Sequence, residues 1–144
     1  MTESFVFSLD MLPDFARDLV KDLKPGDVVT LRGPLAAGKT TVVAALARAL
    51  GYQGHVASPT FVIERRYPLK GPITTLAHLD FYRLENEQID SLDWRETFDE
   101  PKTVTFIEWP ERLGDRLPKN VKSITLEIVD EKTRRLTLSD NFAA

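Results

Sequence analysis

Gly33-Pro34-Leu35-Ala36-Ala37-Gly38-Lys39-Thr40 has the residue types and spacing of a phosphate-binding loop, G-x-x-x-x-G-K-[ST]. The chemistry explains the pattern. Small residues let backbone N–H groups come close to phosphate oxygens, and a helix starting at the loop adds partial positive charge there. Lys39 can reach terminal phosphates, and the Thr40 hydroxyl can ligate Mg²⁺. Such a loop needs acidic partners to manage the metal and a water. Two carboxylates stand at the ends of apolar runs: Asp80 closes Ile73–Leu79 and Glu108 closes Thr103–Ile107. One would hold Mg²⁺ and the other would orient the attacking water, with the order left open.

The flanks suit the motif. Asp27–Arg32 reads as a short buried strand. Thr41–Leu50 reads as a helix, with Val42, Val43, Leu46, Ala49 and Leu50 at helical spacing and Gly51 as its stop. Upstream, Ser4–Ser8 reads as a strand. Leu12–Leu23 reads as a helix, with Asp10 as a possible cap and Pro25-Gly26 ending it. Downstream, Thr60–Tyr67 and Ile73–Leu79 are separated by only five residues, which implies an antiparallel hairpin. Glu85–Phe98 is polar and partly helical. Thr103–Ile107 is a buried strand, and Ile124–Val129 with Arg135–Leu138 forms a last hairpin. The sum is an α/β, phosphate-loop NTPase-like sandwich with a mixed parallel and antiparallel central sheet flanked by helices. In such sheets ligands sit beyond the carboxyl ends of the parallel strands, and Glu108 obeys that rule if its strand lies beside the loop's strand.

Bulk properties set the class. The 144 residues, 42% hydrophobic and 28% charged, suit a single domain over 1–144 with a real core, as in a small enzyme or an ATP-driven switch. Net charge is −3, which argues against tight, sequence-independent binding of nucleic acid by this chain alone. With no cysteine, disulfides and thiolate sites are excluded, and two histidines do not make a zinc site. No apolar run approaches the roughly 20 residues of a membrane span. The N-terminus lacks the pattern of a signal peptide, so the expected location is cytoplasmic.

Other side chains admit two readings. His78 lies two before Asp80, on the same face of an extended strand, and could be its hydrogen-bonding neighbour or a packed ring. His55 sits in a polar loop and reads as solvated. Ser58-Pro59-Thr60 could sense a γ-phosphate or simply turn the chain. Arg65, Arg66 and Arg83 could supply positive charge or be solvated. Trp109 could cover the nucleotide, face a partner or pack in the core.

Four segments in order now carry a resemblance: Gly33–Thr41, Ser58-Pro59-Thr60-Phe61, His78-Leu79-Asp80-Phe81-Tyr82-Arg83-Leu84 and Ile107-Glu108-Trp109-Pro110. The combination resembles the TsaE (YjeE) family, small bacterial ATPases of tRNA threonylcarbamoyladenosine synthesis. The resemblance implies Mg²⁺-dependent ATP hydrolysis in concert with the TsaB–TsaD complex. It implies that Gly33, Ala36, Ala37, Gly38, Lys39, Thr40, Thr41, Trp109 and Arg134 bind the nucleotide. Lys39, Asp80 and Glu108 would act in catalysis, and Thr40, Asp80 and Glu108 at the metal. Arg135 competes with Arg134 for the arginine position.

The chain departs from the family's usual G-x-L-G-A-G-K-T at Ala36, and Pro34 replaces a common polar residue. If position 36 needs positive φ, alanine costs roughly 1–2 kcal/mol there. A small-molecule kinase would share the loop but needs an acceptor pocket, for which only Glu85–Phe98 is available. The lack of N-K-x-D and D-x-x-G segments argues against a guanine-nucleotide switch.

Overall fold

A computed structural model describes residues 3–34, 36–56, 64–82, 84–91 and 95–142. Strand β1 (Glu3–Ser8) leads through a 3₁₀ turn into helix α1 (Leu12–Leu19), and a second 3₁₀ turn follows at Val20–Asp22. Strand β2 (Val28–Arg32) feeds the phosphate loop and helix α2 (Lys39–Ala49). Strands β3 (Glu64–Pro68) and β4 (Thr75–Asp80) precede two short helices, α3 (Asn86–Ser91) and α4 (Arg95–Asp99). Strand β5 (Thr103–Glu108) and the hairpin of β6 (Lys122–Ile128) and β7 (Thr133–Leu138) complete the order.

The strands form one sheet in the order β1-β7-β6-β2-β5-β4-β3. Its centre is parallel: β2 pairs with β5 and β6, and β4 with β5. Its margins are antiparallel, through β3 with β4, β6 with β7 and β1 with β7. The sheet is therefore mixed, as expected. The central strands are buried on both faces, which is why they read as nearly unbroken apolar runs. On one face Val29, Leu31, Phe106, Ile124 and Leu126 pack under α1 and α2 with Leu12, Val43 and Leu46. On the other, Val28, Leu79 and Ile107 pack with Phe81, Ile89 and Leu113.

Several boundaries move from the sequence expectation, each for a local reason. The first helix stops at Leu19 rather than Leu23, because Val20–Asp22 tightens into a 3₁₀ turn and Leu23 turns extended to bury its side chain. Asp10 does not cap it. The chain enters already wound, with Met11 at φ −88°, ψ −5° in the N-cap position, so the extended cap geometry is never formed. The β3–β4 hairpin is antiparallel as expected, though β4 begins at Thr75 rather than Ile73 and β3 is seen from Glu64; residues 60–63 lie outside the described residues. Strand β7 begins at Thr133, two residues early, which brings Arg134 into the sheet. Gly51 ends α2 at φ 106°, a left-handed stop that glycine accepts without penalty.

Candidate functional site

The site is assembled at the carboxyl edge of β2, β5 and β4. Register alone brings its parts together, since Leu31 stands beside Glu108 and Glu108 beside Asp80. Side chains of paired residues share a face, so both carboxylates point to the α2 side of the sheet.

The loop after β2 is built on close approach. Gly33 has φ 153°, and a Cβ there would lie 2.8 Å from the Leu126 carbonyl oxygen of β6. Gly38 takes φ 103° in the N-cap position of α2 and has no side chain to cap the helix's first N–H groups. Ala36 lies at φ 64°. The strain foreseen for alanine is therefore present.

Lys39 is buried, its Nζ donating to the Gly33 carbonyl at 2.6 Å and lying 3.6 Å from the centroid of the Trp109 ring. Burial pulls its pKa below the ordinary 10.5, against the opposing pull of Glu108, Glu111 and Asp80. Trp109 is half-buried, itself left-handed at φ 59°, ψ 51°, and its ring lies 4.7 Å from that of Tyr82. It is a cover over Lys39 rather than a core ring.

Thr40 donates its hydroxyl to Glu108 Oε2 at 2.9 Å. His78, wholly buried, meets the same oxygen through Nε2 at 2.5 Å. Asp80 accepts the Tyr82 N–H at 2.9 Å. A hydroxyl and two carboxylates at one edge form a hard-oxygen donor set that suits Mg²⁺. Among the described residues no three or more histidine or carboxylate side chains converge as a metal cage.

Strand alternation sends the two arginines to opposite faces. Arg134 is buried, and its Nε donates to the Ala37 carbonyl at 3.0 Å while Nη1 donates to the Asp130 and Thr133 carbonyls at 2.7 and 3.0 Å. Arg135 points the other way, to an exposed pair with Glu127 at 3.0 Å. Arg134 thus braces the phosphate loop's backbone against the β6–β7 turn.

Thr41 is exposed at one end of a cavity of about 420 Å³ between α1 and α2, lined also by Leu9, Leu12, Pro13, Arg17 and Arg48. No motif signals these residues; only the packing of α1 on α2 gathers them. His55 and Arg65 are exposed, as expected of solvated side chains. Arg66 stays exposed, as expected of a solvated side chain, and forms a bidentate pair with Glu100 at 2.6 and 2.8 Å. Ser58-Pro59-Thr60 and Arg83 lie outside the described residues.

Comparison with known proteins identifies this arrangement. The family model of the threonylcarbamoyl adenosine biosynthesis protein TsaE matches residues 7–136, which contain the loop, both carboxylates, Trp109 and Arg134. The chain belongs to the TsaE family. A TsaE protein of Synechocystis is 38% identical over 114 residues, covering 77% of this chain and 71% of its own. That of Bacillus subtilis is 37% identical, covering 81% and 71%. The crystal structure of Bacillus subtilis YdiB superposes with a TM-score of 0.76 at 28% identity, covering 96% of this chain and 86% of that one. The α/β sandwich is thus a TsaE-family fold.

Two outcomes follow from the loop. Ala36→Gly should leave stability equal or raise it by up to about 1 kcal/mol, since relief of left-handed strain exceeds glycine's extra chain entropy only slightly. Urea unfolding checks this, and a clearly lower midpoint would show that the alanine methyl supports the loop. Lys39→Met should keep the fold while weakening ATP binding strongly, read by titration calorimetry. A lysine whose folded pKa is depressed lowers stability while it is charged, and this loss fades as pH rises toward 10.5. The stability of the wild type relative to Lys39→Met should therefore rise with pH in the alkaline range below that value; a flat difference would contradict it.

Proposed function

We propose that this protein is a Mg²⁺-dependent ATPase of the cytoplasm that serves threonylcarbamoyladenosine modification of tRNA together with the TsaB–TsaD complex. The observation that carries the reading is the 2.9 Å bond from Thr40 to Glu108, which joins the start of the phosphate-loop helix to a carboxylate at the end of the neighbouring parallel strand. The family's description supplies the pathway. The cavity beside Thr41 offers apolar walls from Leu9, Leu12 and Pro13 for the nucleoside end of ATP.

In this reading the N–H groups from Ala36 to Thr41 bind the phosphates, and Arg134 holds Ala37 in place for them. Lys39 turns from the Gly33 carbonyl to the terminal phosphates, exchanging a neutral acceptor for an anionic one. Thr40 and Glu108 would hold the cation, and Asp80, one strand further on, would orient the attacking water. Bound Mg²⁺ would neutralise charge building on the phosphate oxygens. Trp109 covers the site and limits entry of bulk water.

If water is the acceptor of the phosphoryl group, hydrolysis that is fast in the chain alone would serve no purpose. Phosphate release by the pure protein should be slow, rise or become coupled to complex formation with TsaB–TsaD, and respond little to tRNA alone, consistent with the net charge of −3. Asp80→Asn and Glu108→Gln should each lower turnover by about 10²–10³-fold with a smaller effect on ATP affinity. Fast turnover that the pair leaves unchanged, with no nucleotide-dependent complex, would reject the partner role. Full activity in both variants would reject the site.

A further inference from the structure

We propose that His78 is a positioning residue that fixes the carboxylate of Glu108 for its work in the site, an inference that rests on the ATPase reading above. His78 sits on β4 two residues before Asp80, in register with Phe106, which stands two before Glu108 on β5. Its side chain is fully buried, that of Glu108 nearly so, and Nε2 lies 2.5 Å from Glu108 Oε2. A carboxylate only accepts, so Nε2 carries the proton of this bond.

Packing alone does not explain the residue. Nδ1 is buried with no hydrogen-bond partner, so the ring is a poorer core filler than phenylalanine would be. The one polar bond it makes goes to the site's carboxylate. Both bonds to Glu108 fall on Oε2, one from His78 and one from Thr40. Two donors on one oxygen fix the rotation of the carboxylate and direct Oε1 away from them. Thr40 stands at the helix start and gives up its bond when its hydroxyl turns to a ligand. His78 stands in the interior of the sheet, between β3 and β5, and keeps its bond. It holds Glu108 still at the moment Thr40 lets go. Partners of this kind, one shell behind the reacting groups, orient ligands and are commonly needed for full activity.

Three variants separate positioning from packing. Glutamine places its amide nitrogen at the reach of Nε2, asparagine reaches only as far as Nδ1, and phenylalanine fills the space with no polar atom. Phosphate release by the full chain with TsaB–TsaD should fall about 10–100-fold in His78→Phe and His78→Asn, and recover largely in His78→Gln. ATP affinity should change little in all three, because the loop backbone supplies it. Glutamine and asparagine both bury an amide, so a difference between them is not a loss of packing, and thermal unfolding of each confirms this. A readout free of nucleotide is the imidazole Nε2–H proton, which should be downfield and slow to exchange in the wild type and should shift in Glu108→Gln. If the wild type does not hydrolyse ATP, the ATPase reading fails and this proton alone decides the role of His78. Equal turnover in the glutamine and asparagine variants, or an imidazole proton indifferent to Glu108→Gln, overturns the proposal.

Discussion

The parallel register of β2, β5 and β4 is the constraint on which the site depends. A parallel ladder sends every strand's carboxyl end to one edge. Leu31, Glu108 and Asp80 are therefore neighbours by backbone hydrogen bonding, before any side-chain contact forms. A slip of one residue in β5 would turn Glu108 to the opposite face, away from α2 and into the cluster of Val28, Leu79 and Ile107. The register is fixed by burial: Phe106 belongs to the core under α2 and Ile107 to the core behind the sheet, so exchanging them would expose or misplace both.

On that frame the loop stores strain and charge. Four non-glycine residues among those described have positive φ; one, Ala36, lies in the loop three residues before Lys39, and another, Trp109, lies against the Lys39 ammonium. Conformations of this kind persist only where the surroundings enforce them. Arg134 supplies part of that enforcement by binding the Ala37 carbonyl from across the β6–β7 turn. Lys39 is held under Trp109 by a carbonyl and an aromatic face, and burial weighs more on its charge than three nearby carboxylates relieve. An anionic ligand is a better partner for that ammonium than the one it has.

Much of this was legible in the residues. The phosphate loop, its strand and its helix follow from spacing and periodicity, and the two carboxylates from their place at the ends of apolar runs. The antiparallel β3–β4 hairpin follows from a connector too short for a crossover. What escaped depends on distant pairing. Nothing near Arg134 or Arg135 tells which faces the loop; the early start of β7 and its pairing with β6 decide it. The link from His78 to Glu108 crosses two strands 30 residues apart. The exposed Arg66–Glu100 pair joins β3 to the residue that follows α4, a partner that the residues around Arg66 do not name. Asp10 shows the limit of local rules, since a good capping residue is idle when the chain enters its helix already wound.

The central claim is that phosphates and Mg²⁺ are held between the loop, Thr40 and the carboxylates at the sheet's edge. Backbone amide resonances of the isotope-labelled protein, followed while ATP and Mg²⁺ are added, test it most directly. The account predicts that the largest shifts fall on residues 33–41, with Asp80, Glu108 and Trp109 moving in concert, and that Mg²⁺ adds to the change at Thr40 and Glu108. Shifts centred elsewhere, such as the polar cavity near Asp27 and Asn120 at the opposite edge of the sheet, would contradict it.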